Sequence, residues 1–254
     1  MEQHYFIFRE PETLDELKAL LRLRYSAYMA SRLNKFIEEN QTGMDLDCYD
    51  LYSRHFGLYE HTGSSSRPVG YVRMVTDEPG TFRNDLFALA KSIPELYEKV
   101  NCIPTEPFPM MNYCPYADDI RRYRENAKLA GEMLVEVGRL SLDDSIRGLK
   151  IAVNFVSAIC ASLPMHGVDE ALVTCVSNHE AMYRSCGGRI FHSANIFEVH
   201  GAGVCLLLLS AKNLPHSMKE RVDHMREAYE RTGRICYNPS QPESYYEPVL
   251  SRAA

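Results

Sequence analysis

Glu132-Met-Leu-Val-Glu-Val-Gly-Arg-Leu-Ser-Leu142 reads as a strand with two charges in its interior, the carboxylate of Glu136 and the guanidinium of Arg139. Strand interiors hold few charges unless something pairs or uses them. Successive side chains in a strand point to opposite faces, so positions three apart should diverge. Gly138 stands between the two, and a glycine inside a strand often marks a bulge. A bulge at Gly138 adds one residue and returns both charges to one face. The segment therefore predicts either a structural ion pair or a shared polar site.

Downstream, Asp143-Asp-Ser-Ile-Arg-Gly-Leu-Lys150 reads as a turn into an apolar helix over 151–163, followed by a strand at 171–177. Strand, helix and strand in that order predict one parallel crossover. The turn sets Arg147, Gly148 and Lys150 at the start of the helix, where free N–H groups and a partial positive charge suit a phosphate. Upstream, 5–9 reads as a strand. Thr13 and Glu16 form a capping box for a helix whose Leu14, Leu17, Leu20, Leu21, Tyr25 and Tyr28 keep helical spacing. Residues 55–60 and 69–75 read as two strands joined across 63–68. Residues 78–131, rich in Pro and Tyr, read as an insertion with helices at 86–100 and 117–129 and an irregular ordered segment at 103–115. A short helix at 178–186, strands near 189–192 and 203–210, and an amphipathic helix at about 217–231 complete the pattern. The Pro/Tyr-rich end carries no clear element. The expected fold is α/β: a mixed, mostly antiparallel sheet flanked by helices, with a helical insertion. Residues 1–212 are expected to form one domain and 213–254 a helical tail.

The chain has 254 residues and a net charge of −6. That balance argues against nucleic acid, which needs a basic face. Eight cysteines without C-x-x-C spacing read as buried thiols in a reducing, cytoplasmic setting, with neither a disulfide frame nor a metal site. The N-terminus does not read as a signal peptide. The longest apolar stretch, 203–210, is too short to span a bilayer.

Four spaced motifs carry a resemblance: Arg24-x-x-x-Tyr28, Asp47-x-x-Asp50, Gly70-Tyr-Val-Arg73 and Glu136-Val-Gly-Arg139. In this order they resemble the autoinducer-synthase branch of the GNAT acyltransferase superfamily, which holds the acyl-homoserine-lactone synthases and the long-chain N-acyl amino acid synthases. Residues 173–191 are similar to the fifth strand, short helix and Gly-rich turn of that superfamily. Ser53-Arg-His55 looks more like the N-acyl amino acid synthases. The absence of Trp, the long insertion and Gly138 in place of the usual Ser point the same way.

The resemblance implies a GNAT-like sheet and transfer of a fatty acyl group from an acyl carrier protein or CoA thioester to the amine of an amino acid. The acyl-phosphopantetheine thioester is a co-substrate, and no tightly bound cofactor is implied. Two alternatives stand beside this: a lactone synthase using S-adenosylmethionine, and a non-catalytic GNAT-like protein that binds an acyl ligand or a partner. Within the first reading Glu136 takes the amine proton, and Glu136 and Arg139 form the catalytic pair. Arg24, Asp47, Asp50, Arg73 and His55 surround the acceptor, with an arginine gripping its carboxylate. Backbone N–H groups around Leu140, freed by the bulge, face the oxyanion. Arg147, Gly148 and Lys150 hold the donor phosphate. Met110 and Met111 line the acyl tunnel, and the basic stretch 121–124 docks the acidic carrier protein.

Overall fold

The computed structural model describes residues 4–76, 82–192, 196–238 and 241–245. The first four insertion residues, 78–81, and the end of the expected tail lie outside them.

A strand, His4–Arg9 (β1), leads into the helix Leu14–Met29 (α1). Thr13 caps that helix by accepting from the Glu16 N–H at 3.2 Å. The Glu16 carboxylate turns away to Arg9 and the Glu12 N–H, so the box is only half closed. The buried positions of α1 are Leu17, Leu20, Leu21 and Arg24, spaced i, i+3, i+4 and i+7. The apolar stripe thus delivers a guanidinium into the interior on its next turn.

The hairpin pairs Ser53–Thr62 (β2) with Ser65–Val75 (β3) through a two-residue turn, shorter than expected. Pro68 fits inside β3 because the register shifts beside it, between Leu58 and Tyr59, and a bulge spares a residue that cannot donate. The insertion forms Asn84–Lys91 (α2), Pro94–Val100 (α3) and Ala117–Leu129 (α4). The expected helix at 86–100 is broken because Pro94 starts a new one. Then follow Leu134–Leu142 (β4), Leu149–Ser162 (α5), Glu170–Val176 (β5), Glu180–Ser185 (α6), Arg189–Ile190 (β6), Ile196–Val199 (β7), Ala202–Leu209 (β8), His216–Thr232 (α7), Arg234–Asn238 (β9) and Gln241–Tyr245 (β10).

The strands form one mixed, mostly antiparallel sheet in the order β10-β9-β1-β2-β3-β4-β5-β8-β6, with β7 also on β8. Among the described residues only β4 and β5 pair in parallel. Phe155, Val156 and Ile159 of α5 and Val222 and Met225 of α7 pack with Phe8, Phe56, Val135 and Val173 on one face. On the other face α1 packs with α2 and α3, and Phe108, Met110 and Met111 pack against Leu134 and Leu172.

One expectation needs correction. The segment beyond 212 is no appendage: β9 hydrogen-bonds to β1, and α7 buries Met218, Val222, Met225 and Tyr229 in the main core. Among the described residues one helical stretch, Leu149–His166, is by length and composition apolar enough to cross a membrane, and here it packs largely into the core.

Candidate active site

The parallel pairing of β4 with β5 covers only Leu134–Glu136 against Glu170–Leu172. Beyond those pairs the strands part. A cleft of about 660 Å³ opens between Val137–Leu142 and Val173–Val176, with Tyr28, Tyr113 and Tyr183 also on its walls.

On its other side β4 skips register against β3. Tyr71 pairs with Ser141 and Arg73 with Gly138, so Val72 faces two residues, Arg139 and Leu140. The bulge therefore sits one position beyond the expected Gly138. Arg139, with φ 59°, takes the left-handed conformation within it. The predicted consequence holds: Arg139 reaches Asp47 and Phe36 on the α1 face, toward which Glu136 also points.

Glu136 is 3% exposed, and its Oε2 accepts from the Met110 N–H at 2.9 Å. Burial pushes its carboxyl up to about 7, against that hydrogen bond and the nearby Arg73 and Arg139. Beside it lies a cluster of three arginines and three aspartates. Arg24 holds Asp50 through two 2.8 Å bonds and meets Asp45 at 2.8 Å. Arg73 bridges Asp47 at 2.6 Å and Asp50 at 3.0 Å. Asp47 and Asp50 also close a reciprocal capping box, which their i, i+3 spacing foreshadows. Burial alone would raise the Asp50 carboxyl, yet Arg24 and Arg73 hold it well below the usual carboxylate range. Arg139 is held more loosely, 3.4 Å from Asp47 and 3.5 Å from Asp45, with its guanidinium over the Tyr28 ring. It is the arginine of the three that lines the cleft.

The residues expected to surround the acceptor therefore divide. Arg139 reaches the cleft, and Asp47 is partly exposed beside it. Arg24, Arg73 and Asp50 are sealed behind them. His55 is a correction: it is fully buried, with Nε2 donating to the Asp50 carbonyl and Nδ1 accepting from the Tyr71 hydroxyl. Burial lowers its pKa to about 4, so the ring is a neutral brace. Met110 and Met111 are likewise corrected. Their side chains are buried in the core and do not line the cleft. The insertion wall is made by Tyr113, whose hydroxyl meets Thr174 at 3.2 Å and whose ring packs edge-on against Phe36.

Arg147, Gly148 and Leu149 line the mouth where α5 begins, and no side chain caps that helix. Lys150 lies exposed on its first turn. Leu140 lines the cleft within the bulge. Arg121 and Arg122 are ion-paired with Glu106, Asp118 and Asp119, so they are not a free basic patch. Among the described residues no His, Cys, Asp and Glu cluster is arranged to hold a metal.

Sequence reasoning missed Asp45, Tyr113 and Tyr183. Tyr183 lies on α6 within the stretch that resembles the superfamily, and burial keeps its hydroxyl protonated well above the usual range. Asp45 had no spacing signal beyond its nearness to Asp47.

The sequence profile of the acetyltransferase (GNAT) domain family matches residues 23–99, which span Arg24, Asp47, Asp50 and Arg73. No curated protein matches the chain in sequence. Among solved structures the fold is similar to that of BjaI, a CoA-dependent acyl-homoserine lactone synthase. Its complex with SAM and isopentyl-CoA is 14% identical, with a TM-score of 0.51 over 83% of this chain and 82% of that one. Its complex with MTA is 13% identical, with a TM-score of 0.52 over 88% and 90%. FeeM, an N-acyl amino acid synthase from uncultured soil microbes, is 14% identical with a TM-score of 0.47, over 84% and 96%. The expected GNAT-like sheet is the observed one.

Proposed function

We propose that this GNAT-fold acyltransferase moves a fatty acyl group from an acyl carrier protein or CoA thioester to the amine of an amino acid. One observation carries the reading: a buried carboxyl with a pKa of about 7 sits behind a bulge at the floor of the cleft between two parting strands.

The thioester lies in the splay, where pantetheine amides meet strand edges that β4 and β5 no longer offer each other. Its phosphate rests at the uncapped start of α5, beside Arg147, Gly148 and Lys150. The acceptor amine gives a proton to Glu136 and attacks the carbonyl, forming the C–N bond. Backbone N–H groups at Arg139 and Leu140 face the oxyanion. The C–S bond then breaks, Tyr183 on the cleft wall gives its hydroxyl proton to the departing sulfur, and the proton taken up by Glu136 returns through solvent to the tyrosinate, which closes the cycle. Arg139, the loosely held guanidinium, takes the acceptor carboxylate.

The test supplies decanoyl-CoA and a decanoyl-loaded acyl carrier protein, each with pooled amino acids or with S-adenosylmethionine, and reads thiol release and product mass. An N-acyl amino acid is the expected product. An acyl-homoserine lactone would make S-adenosylmethionine the acceptor, and no thiol release would leave a binding protein. Thiolates depart readily because their conjugate thiols have pKa values of about 8.5, so Tyr183 is asked for little. Tyr183→Phe should lower kcat about tenfold with the donor KM unchanged. An unaltered kcat assigns that proton to another group.

A further inference from the structure

We propose that Cys102 is a site of oxidation and Cys48 its resolving partner: a peroxide closes a reversible disulfide between them that loosens the acceptor site. The effect on turnover rests on the reading of that site as an amine-acceptor pocket. Of the eight cysteines only Cys102 is exposed; the other seven, Cys48 among them, are buried. Cys102 follows the end of α3, whose Leu96 and Val100 pack with Leu46 and Leu51, residues on either side of Cys48 in the chain. That packing brings the two thiols together, and they hydrogen-bond. The Cys102 S–H also donates to the Lys99 carbonyl at 3.6 Å, so its sulfur is left to accept from Cys48.

Accessibility sets the order of events. Burial, and after it the Cys102 contact, push the Cys48 thiol up to about 12, so the exposed sulfur meets the oxidant first. Hydrogen peroxide gives one oxygen to Cys102: the O–O bond breaks, an S–O bond forms and water leaves. Cys48 then attacks the sulfenic sulfur, the S–O bond breaks, and a second water departs with the Cys48 proton. The two sulfurs lose two electrons and the peroxide gains them. A covalent bond holds the sulfurs closer than a hydrogen bond does, so it draws the turn Cys48–Tyr52 toward α3. Asp50 in that turn cannot follow, because it is buried between Arg24 and Arg73. The displacement falls on Asp47, the partly exposed cap of the turn, and on its 3.4 Å contact with Arg139. Arg139 then loses the carboxylate that aims it at the acceptor.

The experiment treats the full chain, wild type and Cys102→Ser, with hydrogen peroxide and then with dithiothreitol. It reads intact mass, cross-linked peptides and, after excess peroxide is removed, transfer from decanoyl-CoA and decanoyl-loaded acyl carrier protein to pooled amino acids. Treated wild type should lose two hydrogen atoms and yield a peptide linking Cys48 to Cys102, and dithiothreitol should reverse both. Cys102→Ser should show neither. The apparent KM of oxidised wild type for the amino acid pool should rise about tenfold, the scale of one charge-assisted hydrogen bond, with the donor KM unchanged. Cys102→Ser should keep its apparent KM under the same treatment. No linked peptide, or a linkage at another cysteine, overturns the proposed site. A linked peptide with an unchanged KM for the pool overturns the switch. Absence of thiol release from untreated wild type overturns the acyltransferase reading and the switch with it, whereas the linked peptide still decides the oxidation site.

Discussion

Glu136→Gln should slow acyl transfer by about 10²-fold or more while leaving the fold intact, since an amide of the same shape can sit by the Met110 N–H but cannot take a proton. In wild type the rate should rise with pH through about 7, as the carboxyl ionises. The stability effect has the opposite sign. A carboxyl whose folded pKa is raised binds its proton more tightly in the native state. The associated stability is present below the unfolded pKa of about 4.3 and is lost as pH rises through the folded value. Above pH 7 wild type carries a buried ionised carboxylate that the variant lacks. The variant should therefore unfold at a higher denaturant concentration than wild type at pH 8. A variant both active and less stable would make Glu136 a structural partner of Arg73 and Arg139.

Asp50→Asn should destabilise the protein by about 3–5 kcal/mol at neutral pH, the scale for removing one member of a buried ionic network. Asp50 is fully buried between Arg24 and Arg73, which are themselves almost fully buried. Without its charge, two guanidiniums keep only Asp45 and Asp47 for compensation. Because the folded pKa of Asp50 is depressed, its contribution is complete above the unfolded value of about 3.9 and is lost as pH falls through the folded one. The deficit should thus be full at pH 7 and shrink in acid. Denaturant midpoints at pH 7 and pH 3 measure both. A deficit below about 1 kcal/mol at pH 7 would show that the cluster tolerates an uncompensated guanidinium.

The order of elements, the crossover and the sheet class were legible because they depend on local periodicity. The 3.6-residue stripe of α1, the short Val- and Tyr-containing run of β3 and the apolar run of α5 are each written in consecutive residues. The ladder at the active site was half legible. A glycine between two charges suggested the bulge, but which residue takes the left-handed conformation depends on the pairing of β4 with β3, and here Arg139 takes it. Met110 and Met111 illustrate the same limit. Their type suits a tunnel or a core, and the packing of Phe108, Leu134 and Leu172 around them settles which. β9 was missed because five residues carry little periodic signal and its partner, β1, lies near the other end of the chain. Asp45 could be read only once Arg24 was known to be buried beside it.

Among the described residues the ladder between the six strands from β10 to β4 and the strands from β5 onward is three residue pairs, Leu134–Glu136 with Glu170–Leu172, continued at one end by the Met133 carbonyl, which accepts from the Asp169 and Glu170 N–H groups. The sheet is thus two plates joined along a short seam, with the cleft as its unzipped end. A donor lying in that opening would lend both plates hydrogen-bond partners and act as a removable stitch. Occupancy and mechanical continuity become one variable, since a ligand that binds only the native state stabilises it by RT ln(1 + [L]/Kd), about 2.7 kcal/mol at a hundredfold excess over Kd. The loaded protein should resist amide exchange along β4 and β5 most strongly, and the departure of the thiol product should return the seam to its looser state.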